Sequence, residues 1–317
     1  MLNLTPQQLI QFTQERGFLR NEFEKAMRLI CVLKEITRHL LLQRCFVLKG
    51  GTALNLFVYD LPRLSVDVDL NYIKAVDKAQ MKNDREEIAQ IIPSLFTPYY
   101  DVKPSKEEYA LLQYEFRYKT LSGGSDKLKM DINFLHRLPV IPTVQSTFDK
   151  FGQSVTFSLM GQEELLAGKV VALLSRYTPR DLYDIYQTSL SKPRFNSRLF
   201  RSLIFYYGLI SHKPIAELFH LTFEQISEYD IRRHLHPMLV RGQFPERDMM
   251  VKKAQEFITP FLSCSEDEAS AIDSFESRGD LDGETLFPQD ELRKRILESP
   301  ALAWRCEQIM RKIEMAV

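Results

Sequence analysis

Between Val66 and Tyr72, within the strand-like run Val66 to Ile73, polar and apolar residues alternate without a break. Val66, Val68 and Leu70 fall on one side, and Asp67, Asp69 and Asn71 on the other. Successive side chains of a strand point to opposite faces, so this period predicts a strand with one face in a core. The other face then carries two carboxylates side by side on a rigid element, and they repel unless a cation stands between them. Upstream, Cys45 to Leu48 is a short apolar run that reads as a buried strand. It leads into Gly50-Gly51-Thr52, where a helix opens and runs to about Tyr59 before Asp60-Leu61-Pro62 breaks it. A glycine-rich turn at a helix N-terminus presents unpaired N–H groups to an anion. Turn and carboxylate strand together predict a site for a metal-bound nucleoside triphosphate. The fourteen residues between Thr52 and Asp67 accommodate the helix and the Asp60-Leu61-Pro62 turn.

A third carboxylate stands on a second alternating segment. In Lys127 to Phe134, Lys129, Asp131 and Asn133 share one face, while Leu128, Met130, Ile132 and Phe134 share the other. The segment pairs naturally with Tyr109 to Thr120 across Ser122-Gly123-Gly124-Ser125-Asp126, a glycine-bearing link of hairpin type. Alone, Asp131 reads as one polar residue on a half-exposed strand. Beside the Asp67/Asp69 strand it completes a cluster suited to two divalent ions about 4 Å apart. Oxygen ligands and phosphate substrates favour Mg²⁺ or Mn²⁺. Asp131 is also placed to take a proton from an attacking hydroxyl.

The segment from Gly161 to Gln187 adds basic groups. Lys169 and Arg176 are seven residues apart and share a helix face. Thr178-Pro179 opens a new helix with Thr as N-cap and Pro at the first position, which puts Asp181 at the third and Asp184 three further on. Lys169, Arg176 and Arg180 near a triphosphate would offset charge in the transition state. Equally, Asp181 reads as a capping residue and Lys169 as an exposed helix lysine.

Length suggests two domains, divided here as residues 1–190 and 191–317, because strand signals fade beyond Pro193. In the first, Thr5-Pro6-Gln7-Gln8 reads as a capped helix start ended by Gly17, followed by helices over Asn21–Gln43 and Asp77–Leu95 and a strand over Val155–Leu159. In the second, the acidic, serine-rich stretch Ser263 to Glu284 reads as a loop. Lysine and arginine (42) balance aspartate and glutamate (42), so the whole chain is no polycationic nucleic-acid binder, though a local basic groove stays open. Candidate basic residues in the C-terminal part include Arg232, Arg233, Lys252, Lys253 and Arg293. Four cysteines without a CxxC pair, six histidines without zinc spacing, and no apolar run of transmembrane length predict free thiols, no zinc, no membrane and a cytoplasmic setting.

Taken together, these segments resemble the nucleotidyltransferase toxins of the AbiEii/AbiGii family, within the polymerase-beta-like superfamily. Four blocks match in order between about Phe46 and Tyr186: Gly50-Gly51-Thr52 through Arg63-Leu64-Ser65-Val66-Asp67-Val68-Asp69-Leu70; Lys129-Met130-Asp131-Ile132-Asn133; the Glu163/Glu164, Lys169, Arg176 helix; and Arg180-Asp181-Leu182-Tyr183-Asp184-Ile185. The resemblance implies an α+β fold, a polymerase-beta-like nucleotidyltransferase core of mixed sheet and flanking helices followed by an α-helical C-terminal domain. It implies metal-dependent (Mg²⁺ or Mn²⁺) transfer of a nucleotidyl group from an NTP to a hydroxyl with release of pyrophosphate, in a toxin–antitoxin or phage-defence (abortive infection) setting. Some relatives modify the acceptor end of tRNA, and many are encoded beside an antitoxin. Carried over residue by residue, Asp67, Asp69 and Asp131 bind metal and carry catalysis with Lys169 and Asp181. Gly50, Gly51, Thr52, Ser65, Lys169, Arg176 and Arg180 face the nucleotide. Ser65, two residues before Asp67, is also a candidate phosphorylation site. Competing readings are transfer to a small molecule such as an aminoglycoside or to a protein hydroxyl, and a catalytically silent binding module.

Overall fold

The computed structural model describes Leu2 and residues 4–316. They pack as two compact units: one from the residues up to Pro139 with Thr143–Met160 and Arg232–Phe244, the other from Val140–Pro142, Gly161–Ile231 and the chain from Pro245 on. Packing thus divides the chain after Met160, where the sequence reading divides it after residue 190.

The first unit opens with α1 (Pro6–Arg16), α2 (Arg20–Arg38) and α3 (Leu42–Cys45). The Thr5 hydroxyl accepts from Gln8 N (3.2 Å), and the Gln8 side chain accepts from Thr5 N (2.9 Å), the reciprocal cap that its sequence predicts. Gly17 ends α1 at φ 77°, a left-handed conformation that suits glycine. The single helix expected over 21–43 is interrupted at His39–Leu41. Along α2, Phe23, Met27, Ile30 and Leu33 are fully buried at helical spacing.

Seven strands follow: β1 (Phe46–Leu48), β2 (Asp67–Tyr72), β3 (Asp101–Glu108), β4 (Leu111–Lys119), β5 (Ser125–Asn133), β6 (Val144–Lys150) and β7 (Gln153–Leu159). They form one mixed sheet in the order β3-β4-β5-β2-β1-β7-β6. β2 lies inside it, antiparallel to β1 and parallel to β5. Between β1 and β2 the chain makes the short α4 (Gly50–Thr52), which passes directly into a π-helical turn over Ala53–Val58. α5 (Lys78–Phe96) connects β2 to β3, and α2 packs on β7. The edge strands β3 and β6 escape the sequence reading. β3 is almost wholly exposed, carries Asp101, Lys103, Lys106, Glu107 and Glu108, and shifts register between Pro104 and Lys106. Charge, proline and a bulge are what keep a free edge from pairing with another chain, and they erase the alternation that betrays a strand. Residues 232–244 return to this unit: Leu64 N donates to Met238 O (2.8 Å) and Arg241 N to Gly17 O (2.9 Å).

The second unit is helical: α6 (Gln162–Arg176), α7 (Pro179–Ser191), α8 (Ser197–Leu209), α9 (Ile215–Leu218), the start of α10 (Glu228–His234), α11 (Arg247–Ile258), α12 (Glu266–Arg278), α13 (Gly283–Leu286), α14 (Asp290–Leu297) and α15 (Pro300–Ala316). α6 packs on α7 and α8, and α7 on α11. The acidic stretch expected as a loop is mostly α12. Its Ser265 hydroxyl accepts from Glu268 N (3.2 Å) and the Glu268 carboxylate from Ser265 N (2.9 Å). The acidic residues Glu266, Asp267 and Glu268 occupy the first turn, where the helix dipole favours them. Among the described residues no helix is long and apolar enough to cross a membrane.

Candidate active site

The register of β2 and β5 sets the three carboxylates. Asp67 stands opposite Lys129, Asp69 opposite Asp131 and Asn71 opposite Asn133. Residues paired in neighbouring strands point to the same side, so Asp67, Asp69 and Asp131 share one face. The alternate residues Val68, Leu70, Met130 and Ile132 lie at or below 1 % exposure beneath it. That apolar underside anchors the acidic face, because a one-residue slip would exchange the two sets.

The glycine turn is fitted against this face. Lys49 N donates to Asp69 O (2.9 Å). Gly50 sits at φ 71°, and a Cβ there would stand 2.4 Å from Asp69 Oδ2. A Cβ on Gly51 would stand 2.6 Å from Arg63 Nη2. The two glycines are thus fitted to two different neighbours, a carboxylate and a guanidinium, and Gly50 also by its left-handed backbone. Thr52 is fully buried. Its Oγ1 donates to Asp67 O (2.6 Å) and makes a second hydrogen bond with Ser65 Oγ (2.9 Å). The Thr52 hydroxyl is thus spent on bracing the carboxylate strand, and Ser65, also buried, is enclosed in the same brace. What the turn offers an anion is the set of first N–H groups of a helix, which have no intrahelical acceptor.

Arg63 and His136 are site neighbours whose roles the sequence did not reveal. Arg63 is 2 % exposed, with Nη1 donating to Leu64 O (2.8 Å) beneath the turn. Burial, with the Lys49 ammonium nearby, pushes the His136 imidazole down to about 3, so it is neutral at physiological pH. Arg63 could have been flagged as a charged residue inside an apolar run. His136 had no local signal.

The chemistry of the donor set fits a hard divalent cation in part. Asp131 Oδ1 is enclosed with no hydrogen-bond partner among the described residues, and Oδ2 accepts from Lys129 Nζ (3.2 Å). An unpartnered buried carboxylate oxygen beside Asp69 is chemically suited to a hard cation. Yet among the described residues no three acidic, histidine or cysteine side chains converge on one ion position. Asp67 and Asp69 are two residues apart on one strand, roughly 6–7 Å along it. Closing the set around an ion requires side-chain rotation toward it.

The remaining expected residues lie in the second unit. Lys169 is buried rather than exposed, with Nζ 2.8 Å from Asp181 Oδ1 and 3.0 Å from Asp184 Oδ2. Arg176 Nε and Nη2 donate to Asp181 (2.6 and 3.1 Å), and Thr178 Oγ1 donates to Asp181 Oδ2 (2.7 Å). Burial raises the Asp181 pKa, but Lys169 and Arg176 outweigh it and hold the carboxyl well below the usual range. Asp181 is at once the third residue of a capped helix, as expected, and the centre of a buried ion-pair cluster. Arg180, beside it in α7, is partly exposed. The structure brings together Gly50, Gly51, Thr52, Ser65, Asp67, Asp69 and Asp131 in the first unit. Separately it gathers Lys169, Arg176 and Asp181 in the second.

A glycine turn clasped to a strand of alternate carboxylates, with a third carboxylate on the parallel neighbour, is the core of a nucleotidyltransferase. Residues 32–262 match the model of the nucleotidyl transferase AbiEii toxin family of type IV toxin–antitoxin systems. The chain belongs to this family. Among solved structures it is similar to MenT4, the nucleotidyltransferase toxin Rv2826c from Mycobacterium tuberculosis H37Rv, at 17 % identity and a TM-score of 0.62, covering 96 % of this chain and 99 % of that one. It is also similar to JHP933 from Helicobacter pylori at 18 % identity, covering 92 % and 95 %, with a TM-score of 0.39. No curated protein sequence matches. The likeness to MenT4 is one of fold, a seven-stranded mixed sheet with flanking helices and a helical C-terminal region.

Proposed function

We propose that this toxin transfers a nucleotidyl group from an NTP to an acceptor hydroxyl on RNA, with tRNA as the acceptor, releasing pyrophosphate in the cytoplasm under the control of a cognate antitoxin. The observation that carries the reading is the Asp69–Asp131 register with its enclosed, unpartnered Asp131 Oδ1. Asp67, Asp69 and Asp131 would hold Mg²⁺ or Mn²⁺, which supplies charge neutralisation of the triphosphate and of the leaving pyrophosphate. The chain's own residues do the rest. The Gly50-Gly51-Thr52 turn presents N–H groups to phosphate oxygens, and its glycines let the backbone approach closely. The buried Arg63 adds fixed positive charge beneath it, and Ser65 and Thr52 hold Asp67 in place. Asp131 accepts the proton of the attacking hydroxyl. Lys169, Arg176, Arg180 and Asp181 occupy the family's other two blocks, all within residues 1–190, and the Lys169–Asp181–Arg176 ion pairs favour a positioning part for them over contact with the reacting atoms.

The test incubates wild type and Asp67→Ala with Mg²⁺, each NTP labelled at the α-phosphate, and total tRNA. Label on RNA with wild type alone is the expected result, and it names the nucleotide. Label on protein or on a small molecule instead would replace the acceptor. No labelling and no Mg²⁺–NTP binding would overturn the reading.

A further inference from the structure

The second unit contains a cavity of about 420 Å³ between α12, α15 and the turn after α8. That volume is in the range of small-molecule sites. Arg305, Lys312 and His212 contribute basic groups to its lining and Glu276 a carboxylate, with Ile309 and Ile313 as apolar wall. Arg305 is 8 % exposed, and its Nε is enclosed with no hydrogen-bond partner among the described residues. A buried N–H left unmet is costly, so native structures keep one mainly where something else completes it. Glu276 makes no hydrogen bond to that Nε among the described residues, and its own Oε1 accepts from Ile215 N (2.7 Å). Arg305 and Lys312 outnumber the one lining carboxylate, which suits an anion. A guanidinium pairs with phosphate oxygens through parallel N–H donors. The volume exceeds what inorganic phosphate needs, and the isoleucines face an organic body.

We propose that this cavity binds an organic phosphate of nucleotide size, either a free nucleotide or a nucleotide of an RNA strand. The site goes beyond the transfer reaction and does not depend on it. Trp304 is the chain's single tryptophan, and its ring stands edge-on to His212 at 6.1 Å between centroids, so its emission reports on the cavity. Ribose 5-phosphate, which does not absorb where tryptophan is excited, should change that emission saturably in the full-length protein, and inorganic phosphate should bind more weakly. Lys312→Ala, on an exposed side chain, and Arg305→Gln should each weaken the titration about tenfold, the scale of one charged hydrogen bond. If Arg305→Gln does not fold, Lys312→Ala decides. Competition by AMP but not by a short single-stranded RNA identifies the free nucleotide, and competition by the RNA identifies the strand. Asp67→Ala should titrate as wild type, so failure of the transfer reaction is distinguishable from failure of this site. No saturable change, competition by neither, or variants that titrate as wild type would overturn the proposal.

Discussion

The two units manage buried acid in opposite ways. On the β2–β5 face, Asp67, Asp69 and Asp131 are half-buried, and Asp131 keeps an unpartnered oxygen. In the helical unit, Asp181 and Asp184 are buried almost completely, and Lys169 lies within 3.0 Å of both. A half-buried acidic face with one carboxylate oxygen left unmet can still take a cation from outside. Charges removed from water together with their partners have been balanced already, by side chains that cost several kcal/mol each to desolvate. The comparison teaches that equal chemistry, aspartate near basic residues in a family block, does not imply equal purpose. A carboxylate left incomplete points to a ligand, and one completed by its own chain points to the fold.

The largest effect expected is therefore on activity in the first unit. Asp67→Ala should lower nucleotidyl transfer by ~10³-fold or more, the scale of losing several kcal/mol of charge stabilisation. It should leave the urea midpoint unchanged or slightly raised, because it relieves repulsion between neighbouring carboxylates. Asp181→Ala should do the reverse and lose about 3–5 kcal/mol of stability, since it removes a buried carboxylate that pairs with both Lys169 and Arg176. Urea denaturation of both variants decides. An Asp181→Ala protein as stable as wild type yet inactive would break the contrast and place Asp181 in the chemistry.

Much of the first face was legible in the sequence because its signals are local. Alternation fixes which residues share a side, so Asp67, Asp69 and Asn71 against Val68 and Leu70 needed no tertiary information. The Thr5 and Thr178 caps are written in four residues each. The parallel pairing of β2 with β5 was not legible, since strands distant in sequence carry no mark of their neighbour. Nor was the burial of Lys169, whose partners lie on the next helix, or the return of residues 232–244 to the first unit. α12 was misread for a different reason: acidic composition outweighed the Ser265/Glu268 cap that starts it. β3 and β6 lie at the edges, where both periods are blurred.

A third carboxylate sharpens the contrast at intermediate size. Glu164 is buried and accepts from Val140 N, Ile141 N and the Tyr207 hydroxyl at 3.0–3.1 Å. Burial pushes its pKa from 4.5 up to about 7, despite those donors. The folded chain therefore binds this proton more tightly than the unfolded one. Its contribution to stability is full below about 4.5 and is lost as pH rises through about 7, on the order of 3 kcal/mol. Glu164→Gln, which cannot titrate, should show a visibly flatter fall of unfolding free energy between those two values. Equal slopes for the two proteins would mean that the hydrogen-bond cage, not burial, governs Glu164.

The smallest effect tests whether the glycine turn belongs to the open face or merely to the fold. Gly50→Ala places a methyl group 2.4 Å from Asp69 Oδ2 in a left-handed conformation. The backbone penalty is about 1–2 kcal/mol, and the carboxylate can swing aside to relieve the contact. Stability should fall by about that amount. The displaced Asp69 should also raise the Mg²⁺ concentration needed for half-maximal transfer, while Thr178→Ala, a helix-cap loss of about 1 kcal/mol in the other unit, should not. Two variants of similar stability would then differ in metal demand. That difference is what distinguishes a turn fitted to a ligand-bearing carboxylate from a turn that only changes the direction of the chain.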